Sequence, residues 1–235
     1  MDYIINDVGS DSTVTVELED GESFVTQRGA IAAKSPNVTA STGTGQGGLR
    51  GSIKSSLTSG ETQLQNTLTA DGDGWVELTV PFPCEIQSVD LGGETVYTRA
   101  HTYLGGELEL DVDYESGSKV EFFKDEGIAF TKVSGTGTMF VAALGGSRTI
   151  TLDGSETYGV GVQHVVLFDA SLNYTLTSVG SISASLLGGE GKICEFNGEG
   201  EIVMQTSSRD GLYAYLGVDD EEGSDASRLS SVLDR

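Results

Sequence analysis

Lysine is scarce in this 235-residue chain. Six lysines and seven arginines face 36 acids, which leaves a formal net charge of −23. Nucleic-acid binding rests on neutralising phosphates with clustered basic side chains, so this balance argues against it. Cysteine is rarer still. Cys84 and Cys194 stand far apart with no CxxC spacing, too few for a disulfide framework. Only two histidines occur, His101 and His164, and neither lies in HxH or HExxH spacing, so no zinc site is expected. No GxSxG elbow is present. No apolar run approaches the roughly 20 residues that span a bilayer. No basic stretch precedes an apolar run near the N-terminus, so a cytoplasmic protein is expected. Together these features predict no cofactor, no metal and no catalytic constellation.

The acids are spread through the chain. Residues 209–235 hold seven acids and three arginines, so most of the charge belongs to residues 1–208. Such a domain repels itself unless counterions screen it. Molar salt shortens the screening length to about 3 Å. The composition predicts a halophilic protein; a mesophilic protein that binds cations or a basic partner is the rival reading.

Glycine is abundant, with 33 residues, about twice average usage. Gly72-Asp73-Gly74, Gly135-Thr136-Gly137 and Gly198-Glu199-Gly200 each precede a strand-like phrase, at intervals of 63 residues. A fixed period marks one supersecondary unit used repeatedly. The prediction is an all-β chain of three pseudo-repeats, packed as an antiparallel sandwich or barrel. Alternation supports it. Val14, Val16 and Leu18 fall on one face of a strand, and Leu108, Leu110 and Val112 on one face of another. Asp20-Gly21, Gly92-Gly93 and Asp153-Gly154 read as hairpin-type turns. The aromatics Trp75, Phe82, Tyr97, Tyr103, Tyr114, Phe122 and Phe123 are expected to fill the core.

One segment departs from the alternation. Between Gly43 and Gly60, Leu49, Ile53 and Leu57 recur every four residues, flanked by Arg50 and Lys54. This spacing predicts a short helix near 48–58. It reads as a cap on one end of the β core, or as a docking element for a partner or lipid headgroup made by Leu49, Arg50, Ile53, Lys54 and Leu57. Gly43-Thr44-Gly45-Gln46-Gly47-Gly48 fits GxGxxG. A dinucleotide site also needs a βαβ unit, which antiparallel alternation does not offer. Residues 209–235 lose the alternation and read as a mobile acidic tail.

The order of several phrases resembles a known family. These are Gly21-Glu22-Ser23-Phe24-Val25, Gly47-Gly48-Leu49, Ser59-Gly60-Glu61-Thr62, Tyr103-Leu104-Gly105, Leu187-Gly188-Gly189-Glu190-Gly191 and Gly198 through Thr206. Over about residues 3–208 the chain resembles the family of altered inheritance of mitochondria protein twenty-four. The resemblance implies a fold like the tryptophan RNA-binding attenuator protein, oligomer formation and no catalytic residues to transfer. Tyr103-Leu104-Gly105-Gly106 and Gly198-Glu199-Gly200 depart from the family's usual Phe-Leu-Ala-Ser and Gly-Pro-Gly. The expected function is a non-enzymatic homo-oligomeric scaffold or adaptor, a trimer or a multiple of one, with a protein partner. The alternative is a module that binds a small ligand or peptide in grooves between β repeats.

Overall fold

The computed structural model describes residues 1–9, 11–43, 65–113, 120, 123, 128–178 and 192–217. The predicted helix near 48–58, with Leu49, Arg50, Ile53, Lys54 and Leu57, lies outside them. The strands run in chain order from β1 (Asp2–Val8), β2 (Asp11–Leu18), β3 (Ser23–Gln27), β4 (Ile31–Lys34) and β5 (Val38–Gly43) to β6 (Gln65–Ala70) and β7 (Gly74–Leu78). Then come β8 (Cys84–Arg99), β9 (Tyr103–Glu107), β10 (Leu110–Asp113), β11 (Phe130–Leu144) and β12 (Ser147–Asp153). The series ends with β13 (Tyr158–Gly161), β14 (Val165–Asp169), β15 (Asn173–Ser178), β16 (Lys192–Asn197), β17 (Glu199–Gln205) and one short helix, α1 (Arg209–Leu216).

Every strand pairing among the described residues is antiparallel. The expected all-β class is therefore what the described residues adopt, with one short helix, α1, at a place other than the predicted 48–58. A large sheet runs β12-β17-β14-β8-β11-β9-β3-β6-β5, with β10 also paired to β11. Two smaller sheets, β1-β2-β7-β4 and β13-β16-β15, accompany it. The large sheet has a spine. β8 and β11, of 16 and 15 residues, pair from Cys84 opposite Leu144 to Arg99 opposite Phe130.

Side-chain alternation divides the core along this spine. Phe140 and Ala142 of β11 join Val14, Val16, Leu18, Val76 and Leu78 of the β1-β2-β7-β4 sheet. At the other end of the spine, Phe130 and Tyr97 join Val160, Cys194 and Phe196 of the β13-β16-β15 sheet. The intervening positions Met139, Val141 and Ala143 point to the opposite face, where they meet Leu91, Val96, Leu167 and Val203. Burying one aliphatic side chain contributes about 1.5–3 kcal/mol, so period-two patterning fixes the register of each strand.

Three expectations change in detail. Gly92-Gly93 is no hairpin turn: it lies inside β8, opposite the irregularity between Ser134 and Thr136 of β11, with Gly93 at φ 114°. A bulge bends a long strand without ending it. The Leu108, Leu110, Val112 face is broken, because a turn follows Glu107 and leaves Leu108 exposed while Leu110 is buried. Trp75 is 41% exposed. Its neighbours Val76 and Leu78 take the inward positions of β7, so the indole points outward. Tyr97, Tyr103 and Phe123 are buried as expected.

Residues 209–216 form α1 at the start of the segment read as a tail. Ser208 caps it by accepting from the Gly211 amide at 3.1 Å, and Gly217 closes it at φ 66°. Among the described residues no helix is long and apolar enough to cross a membrane.

Candidate functional site

The two cysteines and His164 are absorbed into the packing. Cys84 and Cys194 are free and buried. Burial raises both thiol pKa values. At Cys84 a 3.8 Å hydrogen bond to the Ser12 carbonyl opposes that rise and the charge of Asp11 adds to it. A thiol held protonated is a poor nucleophile and a poor metal ligand. His101 lies exposed in the turn between β8 and β9. His164 ends a 3-10 turn, Val162–His164, and its Nδ1 sits 2.8 Å from the Gln205 carbonyl oxygen. Among the described residues no cluster of three or more His, Cys, Asp or Glu has the arrangement to hold a metal.

The same turn is held by two further buried groups. Arg99 is 8% exposed and donates from Nε to the Val165 carbonyl at 3.1 Å and from Nη2 to the Val162 carbonyl at 3.0 Å. Burial first, and then the charge of Arg209, lower its pKa to about 10, while Asp210 opposes the fall. The guanidinium thus stays charged at neutral pH. Gln205 donates from Nε2 to the Gln163 carbonyl at 3.0 Å and accepts from the Leu144 amide at 3.1 Å. These two side chains tie the turn to the ends of β8, β11 and β17. A buried polar group without such partners would cost about 1–3 kcal/mol, so both are explained by structure alone.

A groove of about 340 Å³ opens between β8, β12, β14 and β17. Its floor is the apolar face of the spine: Leu91, Val96, Leu167 and Val203. Its rim carries Asp90, Glu94, Asp169 and Glu201. Asp169 Oδ2 accepts from the Glu201 amide at 2.8 Å. That bond fits only because residue 200 is glycine: φ is +153°, and a Cβ there would sit 2.9 Å from the same carboxylate oxygen. Glu107 meets Gly137 in the same way. Its Oε2 accepts from the Thr138 amide at 2.6 Å, beside Gly137 at φ +142°. The Asp169 pKa is raised, first by burial and then by the charges of Glu201 and Glu94, while the Glu201 amide opposes the rise.

Sequence reasoning missed this groove. Asp169 and Glu201 sit on β14 and β17, which pair across some thirty residues, and nothing marks these two acids among 36. Aliphatic floor and acidic rim together offer a cleft for a ligand with an apolar body and a cationic or hydrogen-bond-donating end.

The fold and its groove define an all-β protein of packed antiparallel sheets. The family model described as "Mitochondrial biogenesis AIM24" matches residues 4–207, and the chain belongs to that family. It is 30% identical over 200 residues to an uncharacterized protein of Streptococcus pyogenes serotype M6, covering 82% of this chain and 80% of that one. It is also similar to the X-ray crystal structure of a Streptococcus pyogenes protein, with a TM-score of 0.75 and 27% identity. That likeness covers 92% of this chain and 98% of the other.

Proposed function

We propose that this protein is a non-enzymatic scaffold or adaptor that works as a homo-oligomer. The observation that carries the reading is the placement of its reactive groups. Cys84 and Cys194 are packed as thiols, and Arg99, His164 and Gln205 are spent on holding one turn. Open sheet edges supply a means of assembly. Among the described residues, strands β12 and β5 end the large sheet, and each pairs on one side only. Three similar β units built like the tryptophan RNA-binding attenuator fold would assemble through such edges. Size exclusion with light scattering in molar KCl tests the reading. A trimer or larger species with a protein-only spectrum is expected. A monomer carrying nucleotide absorbance overturns it.

The groove over β8, β14 and β17 favours a second reading, a module that binds a small ligand or peptide. Native mass spectrometry of protein purified from its own cells distinguishes the two. A stoichiometric adduct lost on Leu167→Trp, which fills the groove, would replace the scaffold reading.

The charge supports a protein adapted to a salt-rich cytoplasm. Asp153 lies opposite Glu199 in the β12–β17 pair, and Asp2 opposite Glu17 in the β1–β2 pair. Like charges placed opposite each other destabilise a sheet unless they are screened. Dialysis from molar KCl into dilute buffer is expected to unfold or aggregate the protein, followed by circular dichroism. A cooperative fold that survives in dilute buffer removes the halophile reading.

A further inference from the structure

The outer face of the β1-β2-β7-β4 sheet carries two of the few large apolar side chains that the described residues leave exposed. Ile4 is 56% exposed and Trp75 41%. The strand register sets their surroundings. Asp2 lies opposite Glu17, and Glu17 lies opposite Trp75, so the three form one row across β1, β2 and β7. Strands lie about 4.8 Å apart, so this row spans about 10 Å. Ile4 stands two residues along β1 from Asp2, on the same face and opposite Thr15. Beside the row is a cavity of about 420 Å³ whose lining includes Trp75 and five carboxylates: Asp2, Glu17, Glu19, Glu22 and Asp73. Among the described residues no lysine or arginine lines it. The Met1 ammonium, which also lines the cavity, lies 3.6 Å from Glu22.

An indole left 41% exposed and held among carboxylates has a definite complement. A cation over the face of tryptophan gains from the ring quadrupole, and the same cation is drawn in by the surrounding carboxylates. A second copy of this chain is a poor occupant, because a two-fold contact sets like patches against each other and doubles the five acids. We infer that this face docks a lysine- or arginine-bearing segment of a partner protein. A basic side chain lies over Trp75 and between Glu17 and Asp73, and a neighbouring apolar side chain rests on Ile4. This rests on the scaffold reading and names the chemistry of the partner.

Trp75 is the only tryptophan in the chain, so its emission reports on this site alone. The full-length protein is titrated with a ten-residue peptide alternating arginine and leucine, and with its glutamate–leucine counterpart. The arginine peptide is expected to shift the emission saturably, and added KCl to weaken the effect. Glu17→Gln with Asp73→Asn is expected to weaken binding at least fivefold. Glu156→Gln with Asp111→Asn, which changes net charge equally on other elements, is expected to weaken it less than twofold. Circular dichroism confirms that each variant is folded. An emission that does not move, equal weakening by both pairs, or equal binding of the glutamate peptide overturns the inference. Light scattering on the same samples separates the two ideas. An oligomer whose Trp75 ignores the peptide keeps the scaffold reading and loses this surface. A monomer that binds the peptide keeps the surface and loses the oligomer.

Discussion

The two ends of the β8–β11 spine solve the same packing problem with different side chains. Under the β1-β2-β7-β4 sheet the core is mostly aliphatic, and its rings are few: Phe140 meets Tyr3 edge-on at 5.0 Å and Phe24 at 6.1 Å. Under the β13-β16-β15 sheet one ring organises the rest. Phe168 meets Tyr97, Phe123, Phe130, Tyr174 and Phe196 at centroid distances from 5.2 to 6.1 Å. The polar fastenings differ in step. At the aliphatic end the buried Thr26 hydroxyl donates to the Leu104 carbonyl at 2.8 Å. At the aromatic end the fastening is the Arg99 guanidinium. A three-stranded sheet has less area to offer than a four-stranded one, and large rings and a charged fork supply more contact per residue.

The largest expected effect breaks this comparison at its centre. Phe168→Ala should cost about 5 kcal/mol in urea unfolding and Phe140→Ala about 3 kcal/mol, the upper and lower parts of the range for buried phenylalanine. Equal losses would mean that the ring lattice adds nothing beyond area. The fastenings come next. Arg99→Met removes the guanidinium bonds to the Val162 and Val165 carbonyls and should cost about 2 kcal/mol, against about 1 kcal/mol for Thr26→Val. A smaller loss at Arg99 than at Thr26 would reverse the ranking.

The Gly-x-Gly phrases sharpen the comparison further. Gly135 and Gly137 lie within β11, Gly198 precedes β17 and Gly200 lies in it, and all four have positive φ. At the aliphatic end Gly72-Asp73-Gly74 is a turn, and only Gly72 has positive φ. Asn37 Nδ2 holds it through the carbonyls of Asp71, Gly72 and Asp73 at 2.8–3.2 Å. Gly200→Ala should therefore cost about 2 kcal/mol from strain and the clash with Asp169. Asn37→Ala should cost about 1 kcal/mol. Thermal unfolding of both variants measures the difference.

The smallest effect is one of pH. The folded-state pKa of Asp169 lies above the ordinary aspartate value, so the folded protein holds its proton more tightly than the unfolded chain. Stability from this group is present at low pH and falls as pH rises from about 4 through the raised value. Asp169→Asn keeps an acceptor for the Glu201 amide and removes the titration. It should flatten that part of the pH profile and leave neutral-pH stability unchanged or slightly higher. A profile identical to the wild type would mean that the charge is already fully solvated.

Much of the fold was legible because alternation reports burial directly. Val14, Val16 and Leu18 are buried to 2% exposure or less, as their period predicts. The same rule, applied strictly to Trp75-Val76-Glu77-Leu78, places Trp75 outside; treating all aromatics as core residues obscured it. Leu108 failed for a different reason, since a turn at Leu108-Glu109, which itself holds no glycine or proline, resets the alternation. Neither groove was legible. Each depends on strands that meet across long stretches of chain, such as β2 with β7 and β14 with β17, and its acids resemble every other acid in the sequence.

The order of those pairings has a consequence for synthesis. β1 and β2 form a local hairpin as soon as they emerge, yet β7 pairs with β2 about sixty residues later and Ile86 of β8 later still. Until then Val14, Val16 and Leu18 lack the cover of β7 and β8. A nascent chain of this protein therefore carries an apolar sheet surface for several seconds at ordinary elongation rates of about 5–20 residues per second. That interval is when a chaperone, or a neighbouring nascent chain, would compete with the strands still to come.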